Sequence, residues 1–202
     1  MTEKTAQKEP GKKPAPSKKP KPQQEVVVQI PLSELHPFPD HPFQVREDAS
    51  MQETAESVKE YGVLVPALAR PREDGGYELI AGHRRKHACE LAGLATMPVI
   101  VRDIDRDAAT IIMVDSNLQR ENILPSERAK AYKMKMEAIK RQGARTDLTS
   151  PKISAKFRSD DEVGQDAGVS GDTIRNYIAL TQLVPELQQM VDEKKIALSP
   201  AY

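Results

Sequence analysis

Leu79-Ile80-Ala81-Gly82-His83-Arg84-Arg85 is the strongest local signal in the sequence, because an apolar β-type run ends at a glycine and helical spacing begins directly after it. A strand that turns into a helix exposes unpaired backbone N–H groups at the positive end of the helix dipole, which attracts anions. Arg84 and Arg85 fall in the first helical turn, where the dipole disfavours cations unless an anion compensates. Phosphate is the natural anion, since guanidinium binds it in bidentate fashion. The alternative is a pair of surface arginines with ordinary ion-pair partners.

The hydrophobic pattern around this stretch alternates between strands and helices. It predicts strands over 26–30, 63–70, 77–81 and 97–101, the second and third joined by a hairpin turn at 74–76. It predicts helices over 49–61, 85–92, 105 to about 120 and 126–142, and a proline-rich loop around Pro37, Pro39 and Pro42. From about residue 105 onward the pattern is helical throughout. The predicted fold class is therefore α+β, with a small mixed-sheet domain over 26–122 and an all-helical domain over 123–202.

The composition excludes several classes of protein. The chain of 202 residues suits one ordinary domain or two small ones, and 38% hydrophobic residues suffice for a core. Cys89 is the single cysteine, which excludes a disulfide framework and any zinc site built from several cysteines. No apolar run approaches the ~18 residues of a membrane span. We therefore expect a soluble protein of a reducing compartment, with Cys89 as a small buried side chain in mid-helix.

Basic and acidic residues balance at 30 each, but they are segregated along the chain. Residues 1–25 hold seven lysines, three glutamates and five prolines, a composition that predicts a disordered tail. A solvated tail is the favoured interpretation, and a weak electrostatic arm for DNA is the alternative. The stretch 120–158 carries eleven basic residues against four acidic ones, and the balance turns acidic from Ser159 onward.

A second polar motif, Asp115-Ser116-Asn117-Leu118-Gln119-Arg120, ends the helix predicted from residue 105. Asn117 and Arg120 are three residues apart and can project from one helix face. An asparagine carbonyl oxygen suits Mg²⁺, and an arginine suits phosphate oxygens. Alone, the motif is equally typical of a frayed helix end. Together with the glycine-arginine turn, it predicts a shared nucleotide-phosphate pocket.

Residues 159–183 have the spacing of a helix-turn-helix, with Gly168 in the tight turn and Gly164 at the close approach of the helices. The apolar positions predict a shared interior of Val163, Ala167, Val169, Ile174 and Tyr177. The second helix of this motif lies in a DNA major groove, where arginine reads guanine and asparagine reads adenine. An ordinary helical hairpin is the alternative. The positions expected to face outward and contact DNA are Ser170, Asp172, Thr173, Arg175 and Asn176.

The four histidines give a weaker signal. They are His36, His41, His83 and His87, and they show no metal-ligand spacing within one element. Only His83, which follows Gly82, has a predicted pocket position.

The order of these features resembles the ParB family of chromosome and plasmid partition proteins, over about residues 26–202. That resemblance implies a small ParB/sulfiredoxin-like domain that binds CTP, a central domain that recognises a centromere-like site in double-stranded DNA, and a clamp that closes on DNA. The segments that carry it are Ile30-Pro31-Leu32-Ser33-Glu34-Leu35, Gln44-Val45-Arg46, Gly62-Val63-Leu64-Val65-Pro66, Ala81-Gly82-His83-Arg84-Arg85 and Asn117-Leu118-Gln119-Arg120-Glu121.

The resemblance also implies roles for individual residues and partners. Gly82, Arg84 and Arg85, with His83 beside them, would hold the triphosphate. Asn117 would hold Mg²⁺, Arg120 would support the pocket, and Gln44 to Arg46 would border the nucleotide. A ParA-type partition ATPase, a homodimer in the full-length context, and a location in the bacterial cytoplasm on the nucleoid or a plasmid are further implications.

The chain departs from the family pattern at positions with chemical consequences. The family usually has glutamate where this chain has His83 and again where it has Ser116, so two carboxylates that could order a metal or a water are absent. We therefore expect nucleotide binding to persist and any CTP hydrolysis to be weak or altered. Val45 replaces the proline of the first box, which is a milder change. Since the chain ends at Tyr202 without the family's C-terminal dimerisation domain, we expect a fragment or another mode of dimerisation.

Other functions on the same fold remain as alternatives. Sulfiredoxin chemistry needs a cysteine at the position that His83 occupies, which argues against that enzyme. A small-molecule kinase needs a general base near the phosphates, and the two missing carboxylates argue against it. A nuclease needs clustered acids, which these loops lack. A DNA-binding adaptor or transcription regulator with a degenerate nucleotide pocket is the remaining alternative.

Overall fold

The computed structural model describes residues 25–120, 122–147 and 159–198. Its sheet has the strand order β1-β5-β3-β4-β2. The β1–β5 and β3–β4 pairs are antiparallel, whereas β3–β5 and β2–β4 are parallel, which confirms the predicted mixed sheet. The strands are β1 (Val27–Pro31), β2 (Leu35–Pro37), β3 (Ala67–Pro71), β4 (Tyr77–Ala81) and β5 (Thr96–Val101).

Seven helices account for most of the remaining described residues. Asp48 and Asp105 cap the first and third, because their Oδ1 atoms accept hydrogen bonds from Met51 N at 2.9 Å and Ala108 N at 2.8 Å. The helices are α1 (Ala49–Tyr61), α2 (His83–Leu91), α3 (Arg106–Leu118), α4 (Pro125–Asp147), α5 (Ser159–Ala167), α6 (Gly171–Leu180) and α7 (Pro185–Asp192). None of the helices in these described ranges is both long and apolar enough to cross a membrane.

Alternation along β4 divides the core between the two faces of the sheet. Leu79 packs on one side with α1, α2 and the buried Cys89, whose burial confirms the sequence prediction. Ile80 packs on the other side against Phe38, Phe43 and residues of α3 and α4. The helices α3 and α4 therefore cover the second face of the sheet.

Two strands differ most from the sequence prediction, and α4 extends to Asp147, beyond its predicted end at residue 142. No strand was predicted over Leu35–Pro37, and Pro37 was expected in a loop, yet the segment pairs in parallel with Tyr77–Leu79 at the edge of the sheet. Its final residue is a proline, which an edge strand tolerates because no neighbour needs that N–H. The strand β3 begins at Ala67 and not at residue 63, since Pro66 interrupts the run.

Packing continues across residues 122–125, where the sequence suggests a domain boundary. Ala131 of α4 lies in the same core as Met113 of α3, while Tyr132 of α4 packs with Val163 and Ile174 of the helix-turn-helix. The division at residue 122 remains a prediction. The predicted lysine- and proline-rich tail over 1–25 lies outside the described residues, apart from Glu25.

The close approach of α5 to the following turn yields a stability prediction. A Cβ at Gly164 would lie 2.6 Å from the Val169 carbonyl oxygen, whereas a Cβ at Gly143 of α4 would meet nothing within 4 Å. Because the obstacle is backbone, we expect Gly164→Ala to lower the free energy of unfolding by about 1–3 kcal/mol. The matched change Gly143→Ala should raise it by about 0.5–1 kcal/mol, since alanine is the better helix former.

Chemical denaturation of both variants measures these changes. Equal effects of the two substitutions would show that α5 is not packed closely against the turn.

Candidate functional site

Gly82 joins β4 to α2 in a conformation and a space that only glycine fits. Its φ is +111°, and a Cβ there would lie 2.8 Å from the Cβ of Ala67 on β3. The first turn of α2 is therefore held against the sheet. Arg85 is anchored there, since its Nη1 donates to the carbonyl oxygens of Val65 and Pro66 at 2.6 Å each. Burial of this guanidinium lowers the pKa of Arg85 from its usual value.

Two cavities that share Arg84 and Arg120 lie beside this turn. The first, which we call the histidine cavity, has a volume of about 290 Å³ and brings together three separate segments. The second, which we call the glutamate cavity, has a volume of about 580 Å³. Of the eight residues proposed from sequence to bind nucleotide, Gly82, His83, Arg84, Arg85, Asn117 and Arg120 line the histidine cavity, and Gln44, Arg46, Arg84 and Arg120 line the glutamate cavity.

Glu127 organises the glutamate cavity, although the sequence analysis did not select it. Its buried carboxylate accepts hydrogen bonds from Gln44 N at 3.1 Å and from Leu124 N at 3.2 Å. Arg46 Nη2 lies 3.7 Å from the same carboxylate, but its side chain is 49% exposed, so water screens this pair. The signal in the sequence is a glutamate in the first turn of α4, where carboxylates accept backbone N–H bonds.

Arg84 points toward the start of α1. Its Nη2 donates to Ser50 Oγ at 3.1 Å, and its Nη1 lies 3.9 Å from Asp48 Oδ1. Asp48, which caps α1, and Ser50, in its first turn, were not among the predicted site residues, because nothing in the local sequence links them to Arg84. Three arginines line the glutamate cavity against two carboxylates, so its lining favours an anion.

Asn117 is oriented by its own helix. Its Nδ2 donates to the Met113 carbonyl oxygen at 2.8 Å, which directs Oδ1 away from that carbonyl. Ser116 Oγ donates to the same carbonyl at 2.9 Å. Among residues 25–120, 122–147 and 159–198, no three His, Cys, Asp or Glu side chains group as metal ligands. Asn117 Oδ1, the oxygen expected to hold Mg²⁺, thus lines a cavity whose described lining residues include no carboxylate, and a single amide oxygen fits that cation poorly.

His41 and His83 form a tilted pair in the histidine cavity, with ring centroids 3.9 Å apart. His41 Nδ1 is 2.7 Å from the Phe43 carbonyl oxygen. The Nε2 atoms of both rings are buried without a hydrogen-bond partner among the described residues. The prediction that only His83 occupies the pocket was wrong, because the irregular loop before α1 carries His41 into it.

Both imidazoles are neutral at physiological pH. Burial, assisted by the neighbouring His41 and Lys86, lowers the pKa of His83 to about 3. Burial also lowers the pKa of His41, although its bond to the Phe43 carbonyl opposes the shift.

The helices α5 and α6 form the predicted helix-turn-helix. Gly168 has a φ of +68° in the turn, and the predicted interior residues pack together around Val163 and Ile174. Ser170 caps the N-terminus of α6, since its Oγ accepts a hydrogen bond from Thr173 N at 3.2 Å. Ser170 and Asp172 are exposed, and Thr173 and Asn176 are partly exposed.

Arg175, the residue proposed to contact guanine, already forms two ion pairs within the protein. Its guanidinium pairs with Asp160 at the start of α5 and with Asp172 one turn before it on α6. The side chain is nevertheless 41% exposed. DNA would have to compete with two carboxylates for this arginine, a constraint that the spacing of Asp172 and Arg175 could have revealed.

Lys135 of α4 links the two candidate sites. Its ammonium is buried and donates to Asp115 of α3 at 2.6 Å and to Asp166 of α5 at 2.8 Å. Burial disfavours the charge, but the bonds to the two carboxylates outweigh it and raise the pKa of Lys135. The helix that ends at the pocket is thus tied to the helix-turn-helix by one side chain.

The depressed pKa of His83 yields a prediction for the pH dependence of stability. The unfolded chain takes up a proton near pH 6.5, whereas folded His83 does so only near pH 3. Its contribution to stability is therefore complete above pH 6.5 and falls as the pH drops toward 3. In NMR titrations we expect the His83 ring resonances to stay constant from pH 7 down to about pH 4. The His83→Gln variant should lose less stability than the unmodified protein as the pH falls over the same range. A His83 titration near pH 6.5 would show that its ring is not buried against His41.

Comparison with known proteins relates these sites to a family. Residues 16–118 match the family model described as the ParB N-terminal domain. The chromosome-partitioning protein Spo0J of Thermus thermophilus is 35% identical over 176 residues, which cover 87% of this chain and 58% of that protein. The chain spans about half the length of the curated relatives it matches.

One solved structure shows the same fold. The C-terminally truncated chromosome-partitioning protein ParB from Caulobacter crescentus, complexed to the centromeric parS site, is 27% identical with a TM-score of 0.56, over 86% of this chain and 82% of that one. A structure of that protein complexed with CTP-gamma-S is 28% identical with a TM-score of 0.44, over 87% of this chain and 89% of that one.

Proposed function

Because the chain belongs to the ParB N-terminal domain family, we propose that it is a partition protein that binds CTP and a centromere-like DNA site. The nucleotide would occupy the histidine and glutamate cavities, and α5 and α6 would contact the DNA. Chromosome partitioning is the function named for the Thermus relative, and the Caulobacter relative is solved with its centromeric site.

The convergence of Arg84, Arg85 and Arg120 at the glycine turn carries this proposal. The backbone N–H groups of the first turn of α2 and two of these arginines would bind phosphate oxygens, because both the helix dipole and the guanidinium geometry favour them. Arg85 is already fixed by two carbonyl bonds, so it would bind with little loss of conformational entropy. A divalent cation would be held by Asn117 Oδ1 and would neutralise part of the triphosphate charge; the family resemblance implies Mg²⁺.

Lysines of α4 would bind the DNA phosphates through their charge, and α6 would contact the bases. Exposed lysines on α4, namely Lys130, Lys133 and Lys140, offer phosphate contacts near the helix-turn-helix. Base contacts would come from Arg175 and Asn176, supported by Ser170, Asp172 and Thr173.

Several features of the family belong to this proposal as well. They are association with the bacterial nucleoid or a plasmid, a homodimer in the full-length protein and a ParA-type ATPase partner. Any CTP hydrolysis should be slow. The two carboxylates that line the cavities, Asp48 and Glu127, already accept backbone hydrogen bonds and are poor candidates for a general base.

One observation favours a second function, a DNA-binding adaptor with a degenerate nucleotide pocket. Arg84 already donates a hydrogen bond to Ser50 Oγ, so a nucleotide would have to displace this contact. Equilibrium binding of labelled CTP, ATP and GTP with a divalent cation, with and without DNA, separates the two functions. Selective CTP binding supports the partition protein, and no nucleotide binding supports the adaptor.

The arginines of the pocket provide a mutational test. We expect Arg85→Ala and Arg120→Ala each to weaken CTP binding by about 10- to 100-fold, because each change would remove one or two charged hydrogen bonds to the phosphates. Affinity for a short DNA site should change little, because Arg85 and Arg120 lie outside α5 and α6, the helices proposed to contact DNA. The matched control is Arg72→Ala, on the hairpin between β3 and β4, which should leave both affinities unchanged. Equal loss of nucleotide and DNA affinity in a folded variant would contradict two separate sites.

The recognition helix provides a second test. We expect Arg175→Ala to reduce sequence preference by about 1–3 kcal/mol at one base pair. Binding to a panel of single-base-pair variants of the site measures this preference. The control Lys195→Ala removes an exposed cation outside α5 and α6 and should leave the preference unchanged. If Arg175→Ala also leaves it unchanged, α6 does not read that base.

A further inference from the structure

We propose that side chains of the histidine cavity bind and neutralise the triphosphate in this chain, so that CTP binds without help from a divalent cation. This inference rests on the proposed nucleotide site and states how that site balances the charge of its ligand. The side chains that would do so are Arg84, Arg85, Arg120 and His83.

The lining of the histidine cavity does not fit Mg²⁺. In proteins this cation takes oxygen ligands in near-octahedral geometry, and one or two carboxylates usually belong to the set. Among the described residues that line the cavity, only Ser116 and Asn117 carry side-chain oxygens, and none is a carboxylate. Ser116 Oγ already donates to the Met113 carbonyl oxygen at 2.9 Å. The protein therefore supplies too few oxygen ligands for this cation to contribute much to nucleotide affinity.

The two carboxylates of the neighbouring glutamate cavity already have partners within the protein. Asp48 Oδ1 accepts a hydrogen bond from Met51 N at 2.9 Å and lies 3.9 Å from Arg84 Nη1. Glu127 accepts hydrogen bonds from two backbone N–H groups, one at each of its oxygens. A metal ion would have to compete with these bonds for the same oxygens, so neither carboxylate makes up for the ligands that the histidine cavity lacks.

Arg85 and Arg120 present guanidinium groups that are available to phosphate. Arg85 Nη1 is held by the two carbonyl bonds, while its Nη2 lies 3.3 Å from the position of a Cβ on Gly82, beside the first turn of α2. The guanidinium of Arg120 forms no hydrogen bond or ion pair with the part of the chain that the structure describes. Phosphate oxygens can therefore bind both groups without breaking an existing bond, in the charge-assisted geometry that guanidinium favours.

His83 adds an uncharged donor to these cations. Its Nε2 is buried without a hydrogen-bond partner among the described residues. A neutral imidazole carries its proton on either nitrogen, so a phosphate oxygen would select the tautomer with the proton at Nε2, and the bond would satisfy a buried polar atom. His41 cannot act in this way, because its Nδ1 donates to the Phe43 carbonyl oxygen at 2.7 Å and its Nε2 is therefore an acceptor.

The positive charge of the histidine cavity attracts the triphosphate and opposes a metal ion. Three arginines line the cavity, and no carboxylate among its described lining residues offsets them. Their summed field favours an anionic ligand, whereas a divalent cation that entered with the nucleotide would meet the same three positive groups. The cation would also compete with the arginines for phosphate oxygens. Its net contribution to the affinity for CTP should therefore be small.

Calorimetric titration of the full chain with CTP tests the inference. One series contains Mg²⁺ and the other contains EDTA, at the same ionic strength, because added salt would itself screen the arginine contacts. We expect the two dissociation constants to agree within about threefold, which corresponds to little net free energy from the cation.

Substitutions at His83 test its contact with the phosphates. The His83→Glu change places a carboxylate there, which repels phosphate and gives the cavity an oxygen ligand for Mg²⁺, so CTP should bind about tenfold or more weakly in EDTA than in Mg²⁺. The His83→Gln variant retains an amide donor and should bind equally in both series. The matched control His36→Glu adds the same charge on β2, outside both cavities, and should also bind equally in both series.

Three results would count against the inference in different ways. A loss of affinity in EDTA larger than about threefold for the unmodified chain would overturn it, and the proposed nucleotide site would still stand. A folded His83→Glu variant that binds CTP equally in both series would show that this side chain does not contact the phosphates. If CTP binds in neither series, the proposed nucleotide site fails and the inference fails with it.

Discussion

The contact between Gly82 and Ala67 is the constraint on which the candidate nucleotide site depends. A side chain at Gly82 would collide with β3, and its left-handed φ of +111° adds a conformational penalty for any other residue. The chain can therefore pass directly from β4 into α2 with the helix start lying against the sheet. That position brings Arg84 and Arg85 to the histidine cavity, which Arg120 reaches from the end of α3.

The candidate nucleotide and DNA sites are physically connected through α3 and α4. Residues of both helices pack on the sheet, and α4 continues into the core of the helix-turn-helix. Lys135 adds a buried polar tie between Asp115, two residues before Asn117, and Asp166 of α5. Removing either carboxylate would leave this buried ammonium with one partner, so the tie favours one arrangement of the three helices.

Local patterns predicted most of the fold, and long-range contacts account for what they missed. The glycine-arginine turn, the Asn117–Arg120 helix end and the glycines of the helix-turn-helix each have a local signature, and the structure places all three as expected. By contrast, β2 forms only because β4 offers a free edge. His41 reaches the histidine cavity from an irregular loop. Glu127 reaches the glutamate cavity from the start of α4, 83 residues after its partner Gln44, and no spacing in the sequence links the two. The pairing of Arg175 with Asp160 likewise depends on how α5 packs against α6.

Backbone NMR of the isotopically labelled chain during a CTP titration would locate the bound triphosphate. If the glycine turn cradles a triphosphate, the largest amide shifts will fall at residues 82–85, where the N–H groups face the phosphates, and at residues 117–120. Amides of α6 should move less. Saturation with CTP while residues 82–85 remain unshifted, or shifts confined to α5 and α6, would contradict the account.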